Sequence, residues 1–164
     1  MHFATAIRSS TGGRTKNQDN ADHFEQNGLA GWVLADGLGG HRGGGLASSL
    51  ATDAMLDTCQ TRGELAQETI ASAAQAAQET LHERQRKHPE YSRMRTTFVL
   101  LLVDPDAGKA LWGHAGDSRL YHFRAGGIVN QTKDHSVVQA LVDAGELDPD
   151  DRRAHDASHP LLRA

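Results

Sequence analysis

The sequence has little cysteine, no long apolar run and no excess of basic residues. Its 164 residues include one cysteine, Cys59, which excludes an internal disulfide framework and favours a reducing compartment. No apolar run approaches the ~20 residues that a membrane-spanning helix needs, and the N-terminus lacks the basic patch and apolar core of a signal peptide. The net charge of −4 gives no broad basic surface for nucleic acid or an anionic membrane. These absences predict a cytoplasmic protein with neither nucleic acid nor membrane as a partner.

The length predicts one domain spanning residues 1–164, since a chain of this size buries about 68–70% of its unfolded surface. Its strands and helices are expected to be segregated along the chain, which indicates the α+β class. Apolar alternation or apolar runs predict strands at residues 3–8, 21–26, 32–35, 98–103, 110–114, 120–124 and 128–132. The run at 98–103 is typical of a strand covered on both faces.

Two helices are predicted between the third and fourth of these strands. Their apolar stripes consist of Leu46, Leu50, Ala54 and Met55 in the first helix and Ile70, Ala73, Ala77 and Leu81 in the second. Cys59 falls within the helical pattern, so we expect it to pack rather than react. Ser136 and Gln139 predict a capped start for a third, short helix that Gly145 closes.

The most informative segment is 33–41, where an apolar run delivers Asp36 to a turn. Three of the four residues after Asp36 are glycine, which lets backbone groups approach a bound ligand closely. Carboxylate oxygens suit hard cations such as Mg²⁺, Mn²⁺ or Ca²⁺. For this segment alone, a strand followed by a flexible turn remains the alternative.

Two further acids stand in comparable motifs, Asp19 upstream and Asp117 downstream. The motifs R-x-x-N-Q-D, A-D-G-x-G-G-H, T-T-F, G-D-S-R-x-Y and T-x-D-H-S occupy residues 14–19, 35–41, 96–98, 116–121 and 132–136. Together they resemble the protein phosphatase 2C family, the metal-dependent serine/threonine phosphatases, in its bacterial form. The five motifs follow one another in the family's order over nearly the whole chain.

The resemblance implies two stacked antiparallel β-sheets flanked by helices, with the metal centre at one end. Asp36 would bridge two Mn²⁺ or Mg²⁺ ions, and the carbonyl of Gly37 would be a ligand to one of them. Asp19 would hold one ion through its water shell, and Asp117 a looser third ion. Arg14 would bind the substrate phosphate, because a guanidinium fork holds two phosphate oxygens at once.

Each of these assignments has a structural alternative. Arg14 could be a solvated arginine, and Asp117 could simply begin a turn. Residues 134–136 are expected to cap a helix, and Thr96 and Thr97 to be structural. Leu38 stands directly after the Asp-Gly pair, where eukaryotic members carry a candidate general-acid histidine. The general acid therefore stays open between His41 and metal-bound water.

A zinc site is a weaker interpretation of the ten histidines. His155 and His159 are four residues apart, but Pro160 and the nearby chain end disfavour a rigid zinc helix. A dinucleotide site is also disfavoured, because Gly37-x-Gly39-x-x-Arg42 lacks the last glycine of that fingerprint.

At the C-terminus the sequence departs from the family, which continues through further strands carrying two more metal-binding aspartates. This sequence ends at Ala164, and its aspartates at 143, 148, 150, 151 and 156 do not match those motifs. We therefore expect an incomplete domain with weakened cation binding, an open sheet edge and uncovered apolar surface.

Two functions follow. The first is metal-dependent hydrolysis of phosphoserine and phosphothreonine in proteins, with phosphoprotein substrates, including those of serine/threonine kinases, as partners. The alternative is a catalytically impaired phosphatase-like module that binds a partner or a phosphopeptide.

Overall fold

The computed structural model describes residues 3–38, 43–145 and 147–148 of the chain. These contain six strands, three α-helices and a 3₁₀ turn at Pro89–Tyr91. The strands are β1 (Asp19–Gln26), β2 (Leu29–Asp36), β3 (Phe98–Asp104), β4 (Lys109–Ala115), β5 (Tyr121–Arg124) and β6 (Gly127–Gln131). The helices are α1 (Gly44–Arg62), α2 (Gln67–Lys87) and α3 (Val137–Asp143).

Four strands form one antiparallel sheet in the order β1-β2-β3-β4. The β1–β2 turn is tight, because Asn27 and Gly28 both take positive φ angles of 53° and 78°. This register sets the first residue of β1, Asp19, directly opposite the last residue of β2, Asp36. The two carboxylates therefore meet at one end of the sheet.

Helix α1 packs on β1 and β2, and α2 packs on α1. The core between them and the sheet consists of Phe24, Leu29, Val33, Ala51, Met55, Leu56, Cys59, Ala73, Ala77, Leu100 and Leu102. A Cβ at Gly31 would lie 2.3 Å from Phe24 Cε1. The absence of a side chain at Gly31 therefore lets the Phe24 ring lie over strand β2. Cys59 is fully buried and burial raises the pKa of its thiol to about 11, which agrees with a packing role.

The predicted apolar stripe of α1 is offset from the face that the structure buries. Met55 is buried as expected, but Leu46, Leu50 and Ala54 are half-buried. The buried face instead runs through Ala47, Ser48, Ala51, Thr52, Met55, Leu56 and Cys59. Small and hydroxyl side chains occupy it because α1 lies close to the sheet, where Ser48 Oγ donates to the carbonyl of Gln18 at 2.6 Å.

The predicted strand at 3–8 is wrong. In the described residues this segment has no strand partner, and it contacts the sheet through side chains. The Phe3 ring stands edge-on to Trp32 at 5.0 Å, and Trp32 Nε1 donates to Thr5 Oγ1 at 3.0 Å. An alternating sequence forms a strand only where a neighbouring backbone completes the ladder.

The apolar run of β3 predicted a strand covered on both faces, but the structure fully covers only one face. Leu100 and Leu102 are fully buried against the helices, whereas Leu101 and Val103 on the other face are half-buried. The same outer face exposes 45% of Leu34 and 40% of Trp112.

Strands β5 and β6 form a separate hairpin, whose residues are all exposed. Helix α3 follows, and its predicted cap is present, since Ser136 Oγ accepts from Gln139 N at 3.2 Å. Among the described residues, no helix combines the length and apolarity needed to cross a membrane.

Candidate metal centre

Three of the sequence-predicted site residues act electrostatically on a fourth, Asp36, at the end of β2. The pKa of Asp36 is raised from 3.8 to about 6, first because it is half-buried and then because of the charge of Asp19 and a hydrogen bond with its carboxyl group. The charge of Arg14 lowers this pKa, and that of Asp117 raises it. The fold therefore gathers acids with one arginine from three separate motifs.

Thr97 fixes the backbone of Asp36 and links it to the Asp117 turn. Thr97 N donates to the carbonyl of Asp36 at 2.9 Å, and Asp36 N donates back to Thr97 Oγ1 at 3.2 Å. The same hydroxyl lies 2.6 Å from Ser118 Oγ. Since Thr97 is fully buried, this bridge is shielded from competing water.

The turn that carries Asp117 is held from both sides. Gly116 has a φ of +100°, and a Cβ there would lie 2.5 Å from Thr97 Cγ2, so glycine is required. Its carbonyl accepts from His135 N at 2.9 Å. Two residues beyond Asp117, Arg119 binds the buried Asp134 with both Nε and Nη2, at 2.7 and 2.6 Å.

Gly37 leaves no space for a side chain. Its amide donates to the carbonyl of Gln18 at 3.0 Å, and it pairs with Thr96. An added Cβ would lie 2.1 Å from the carbonyl oxygen of Gly44 at the start of α1. The close approach of α1 to the end of β2 therefore depends on this glycine.

Arg14 lies in an exposed turn before β1, where its amide donates to the carbonyl of Thr11 at 3.0 Å. The same segment leads into the site through Asn17, whose Oδ1 accepts from Asp19 N at 3.0 Å. Among the described residues, the guanidinium makes no salt bridge, although its charge acts on Asp36, and it is available to an anion.

The donors present fit a hard divalent cation. Asp19 and Asp36 are carboxylates in contact, and their repulsion is what a bound cation would relieve. Within the described residues, no group of three or more acidic, histidine or cysteine side chains is close enough to hold a metal. The candidate acid His41 and the His155–His159 pair lie outside the described residues.

Sequence reasoning identified the charged residues of this site but missed the roles of those that position them. Arg119 and Asp134 were not recognised as a pair, and residues 134–136 were expected only to cap a helix. Thr97 was expected to be structural, and the structure gives it direct bonds to Asp36. The available signal was the presence of all three residues in the matched motifs.

Comparisons with known proteins identify the family of the chain. The family model described as Protein phosphatase 2C matches residues 8–144. The protein phosphatase PhpP of Streptococcus pneumoniae is 36% identical over 148 residues, covering 87% of this chain and 58% of PhpP. The serine/threonine protein phosphatase PstP of Mycobacterium tuberculosis is 35% identical over 135 residues, covering 80% of this chain and 26% of PstP.

Solved structures agree as well. The serine/threonine phosphatase Stp1 from Staphylococcus aureus superposes with a TM-score of 0.78 at 28% identity, covering 92% of this chain and 60% of Stp1. The catalytic domain of PstP in complex with two manganese ions gives a TM-score of 0.68 at 32% identity, with coverage of 92% and 60%. This chain thus spans about three fifths of the length of PhpP and Stp1. The predicted α+β fold and the family resemblance are confirmed, and the chain belongs to the protein phosphatase 2C family.

Proposed function

We propose that this chain hydrolyses phosphoserine and phosphothreonine monoesters in proteins, using water activated at a dinuclear Mn²⁺ or Mg²⁺ centre. The observation that carries the proposal is the convergence on Asp36: the β1–β2 register sets it opposite Asp19, and its pKa is raised by burial, Asp19 and Asp117 and lowered by Arg14. An acid cluster beside one arginine supplies both halves of a phosphatase site, a cation site and an anion site. The catalytic activity of the relatives PhpP, PstP and Stp1, which their names state, supports the same reaction.

Asp36 is proposed to hold both ions, with the carbonyl of Gly37 as a further ligand, Asp19 holding one ion through water, and Asp117 an additional ion. Such ions acidify water and neutralise phosphoryl charge when bound. Arg14 then orients the phosphate by binding two of its oxygens. A water oxygen bonds to phosphorus, the ester P–O bond breaks, and the released serine or threonine oxygen takes a proton. Leu38 has no proton to give, so no side chain is assigned to that last transfer.

The test is hydrolysis of p-nitrophenyl phosphate and of a phosphothreonine peptide by the purified chain with Mn²⁺. Asp36→Asn and EDTA should each abolish turnover. Asp22→Asn is the matched control, because it removes an exposed carboxylate from the neighbouring strand β1, three residues beyond Asp19. Turnover that survives in Asp36→Asn would overturn the proposal.

A second candidate is a phosphatase-like module that binds a phosphopeptide without hydrolysing it. It is favoured by the arrangement of the acids, since Asp19 contacts Asp36 whereas Asp117 acts on it through charge alone. In that case phosphate binding should require Arg14, and the folded protein should stay inert in excess Mn²⁺.

A further inference from the structure

Arg95 lies at the open end of the carboxylate site. Beyond the regular part of β2 and β3, the two strands keep their antiparallel pairing: Thr97 N donates to the carbonyl of Asp36 at 2.9 Å, Gly37 pairs with Thr96, and Leu38 N donates to the carbonyl of Arg95 at 3.0 Å. The pairing therefore sets Arg95 opposite Leu38.

This register determines the face on which Arg95 lies. Residues two apart in a strand share a face, and so do residues directly opposite in an antiparallel pair. Arg95 thus shares its face with Thr97 and Asp36, about 7 Å further along the strand. Arg95 is exposed, whereas Thr96 and Thr97, the next two residues along the chain, are buried.

The guanidinium of Arg95 has no polar partner among the described residues. Neither an ion pair nor a side-chain hydrogen bond joins it to another described residue. The register sets Arg95 two residues beyond Thr97, the residue opposite Asp36, so Arg95 lies beside the carboxylate end, where it can contact a group next to the reacting phosphate.

A second arginine extends this positive charge. Arg93 is exposed, and Met94 between the two arginines is fully buried, so Arg93 and Arg95 flank it on the surface. Gln85 Nε2 in α2 donates to the carbonyl of Met94 at 2.9 Å and holds the segment in place. Residues 84–95 carry five arginine and lysine residues against one glutamate, and one of these cations, Lys87, pairs with Glu83 just outside this range. The segment that leads to Arg95 is therefore locally positive.

We propose that Arg95, with Arg93 beside it, binds carboxylates that flank the phosphorylated residue of a protein substrate, so that the site selects acidic phosphopeptides. The proposal rests on the proposed function for the position of the reacting phosphate. A guanidinium fork matches a carboxylate in geometry and charge, and a cationic rim raises the local concentration of an acidic chain.

The test compares two phosphothreonine peptides that differ only in their flanking residues, acidic in one and neutral in the other. In the wild type, kcat/KM should favour the acidic peptide, and this preference should fall as salt is added. In R93Q/R95Q the preference should drop three- to tenfold, mainly through KM. R124Q removes an exposed arginine of the separate β5–β6 hairpin and should keep the wild-type preference.

Binding separates this inference from the proposed hydrolysis. Anisotropy of the labelled peptides in EDTA should show the same arginine-dependent preference without turnover. Binding with that preference but no hydrolysis in Mn²⁺ would refute the proposed function and leave the inference standing. Hydrolysis that needs Asp36 but shows no acidic preference, or keeps it in R93Q/R95Q, would overturn the inference alone. The absence of both binding and hydrolysis would overturn both.

Discussion

Arg119 binds Asp134 through two hydrogen bonds of 2.7 and 2.6 Å, with the aspartate side chain only 3% exposed and that of the arginine 34% exposed. The pair joins two distant motifs, because Arg119 follows the Asp117 turn and Asp134 precedes the cap of α3. It also raises the pKa of Arg119 above its usual range through the hydrogen bond to Asp134. The position of Asp117 therefore depends on a contact outside the residues predicted to bind metal.

Breaking this pair should destabilise the fold and loosen the Asp117 turn. Asp134→Asn should cost about 2 kcal/mol, below the 3–5 kcal/mol of a fully buried pair because Arg119 is a third exposed and screened by solvent. Arg119→Lys keeps the charge but loses the bidentate fork, and should cost about 1 kcal/mol. Urea denaturation measures both. Asp143→Asn, which breaks the exposed pair with Lys133, is the control and should leave the midpoint unchanged; an equal loss there would contradict the prediction.

Asp36 should make the metal-free protein less stable as pH rises from about 4 to 6. Its folded pKa of about 6 lies above its ordinary value of 3.8, so the favourable contribution is complete below pH 4 and is lost as pH passes the folded pKa. After discounting for solvent screening, the loss is roughly 1 kcal/mol. The measurement is the free energy of unfolding against pH in EDTA, taken as the difference between wild type and Asp36→Asn. A difference that does not change between pH 4 and 7 would refute it.

Loss of the Thr97 hydroxyl should weaken both the fold and cation binding. Thr97→Val keeps the shape but leaves Asp36 N without its buried acceptor, at a cost of about 1–3 kcal/mol. Thr97→Ser keeps the hydroxyl and should retain Mn²⁺ binding. Thermal unfolding with and without Mn²⁺ tests this, because at a fixed ion concentration tighter binding to the folded state gives a larger rise in Tm. An equal Mn²⁺ shift in the Val and Ser variants would show that the hydroxyl does not position Asp36.

Gly37→Ala should disrupt the junction between β2 and α1. The new Cβ would lie 2.1 Å from a backbone oxygen of Gly44, so the backbone itself must move. We expect a loss of roughly 3 kcal/mol or more, at the upper end for overpacking. Gly13→Ala is the matched control, because a Cβ there meets nothing within 4 Å. Chemical denaturation of the two variants gives the comparison, and similar midpoints would show that the junction can relax.

Much of the sheet could be predicted from the sequence, because local signals and tertiary structure agree there. The strands expected at 21–26 and 110–114 lie within β1 and β4, and the stripe of Ala73 and Ala77 does face the core. Asp36 was recognisable because a carboxylate at the end of an apolar strand has few structural uses. Its approach to Asp19 follows from the tight turn that sets the β1–β2 register.

Other features depend on contacts that no local pattern encodes. Arg119 and Asp134 are 15 residues apart, and each alone resembles an ordinary surface charge. The buried face of α1 was misassigned because Ser48 and Thr52 are buried there, and their hydroxyl groups mask the apolar period. The strand expected at 3–8 failed for a similar reason, since alternation does not reveal whether a neighbouring strand exists.

Both tryptophans of this protein lie on the outer face of the sheet, which determines what its intrinsic fluorescence reports. The chain has two tryptophans, Trp32 and Trp112, and both pair with Leu101, one from each side. They therefore stand on the same face, about 10 Å apart across β3. Trp32 is half-buried and Trp112 is 40% exposed, so the intrinsic fluorescence reports this face rather than the core. Anything that covers the outer face will change the emission of both indoles, and ligands at the carboxylate end will leave that signal largely undisturbed.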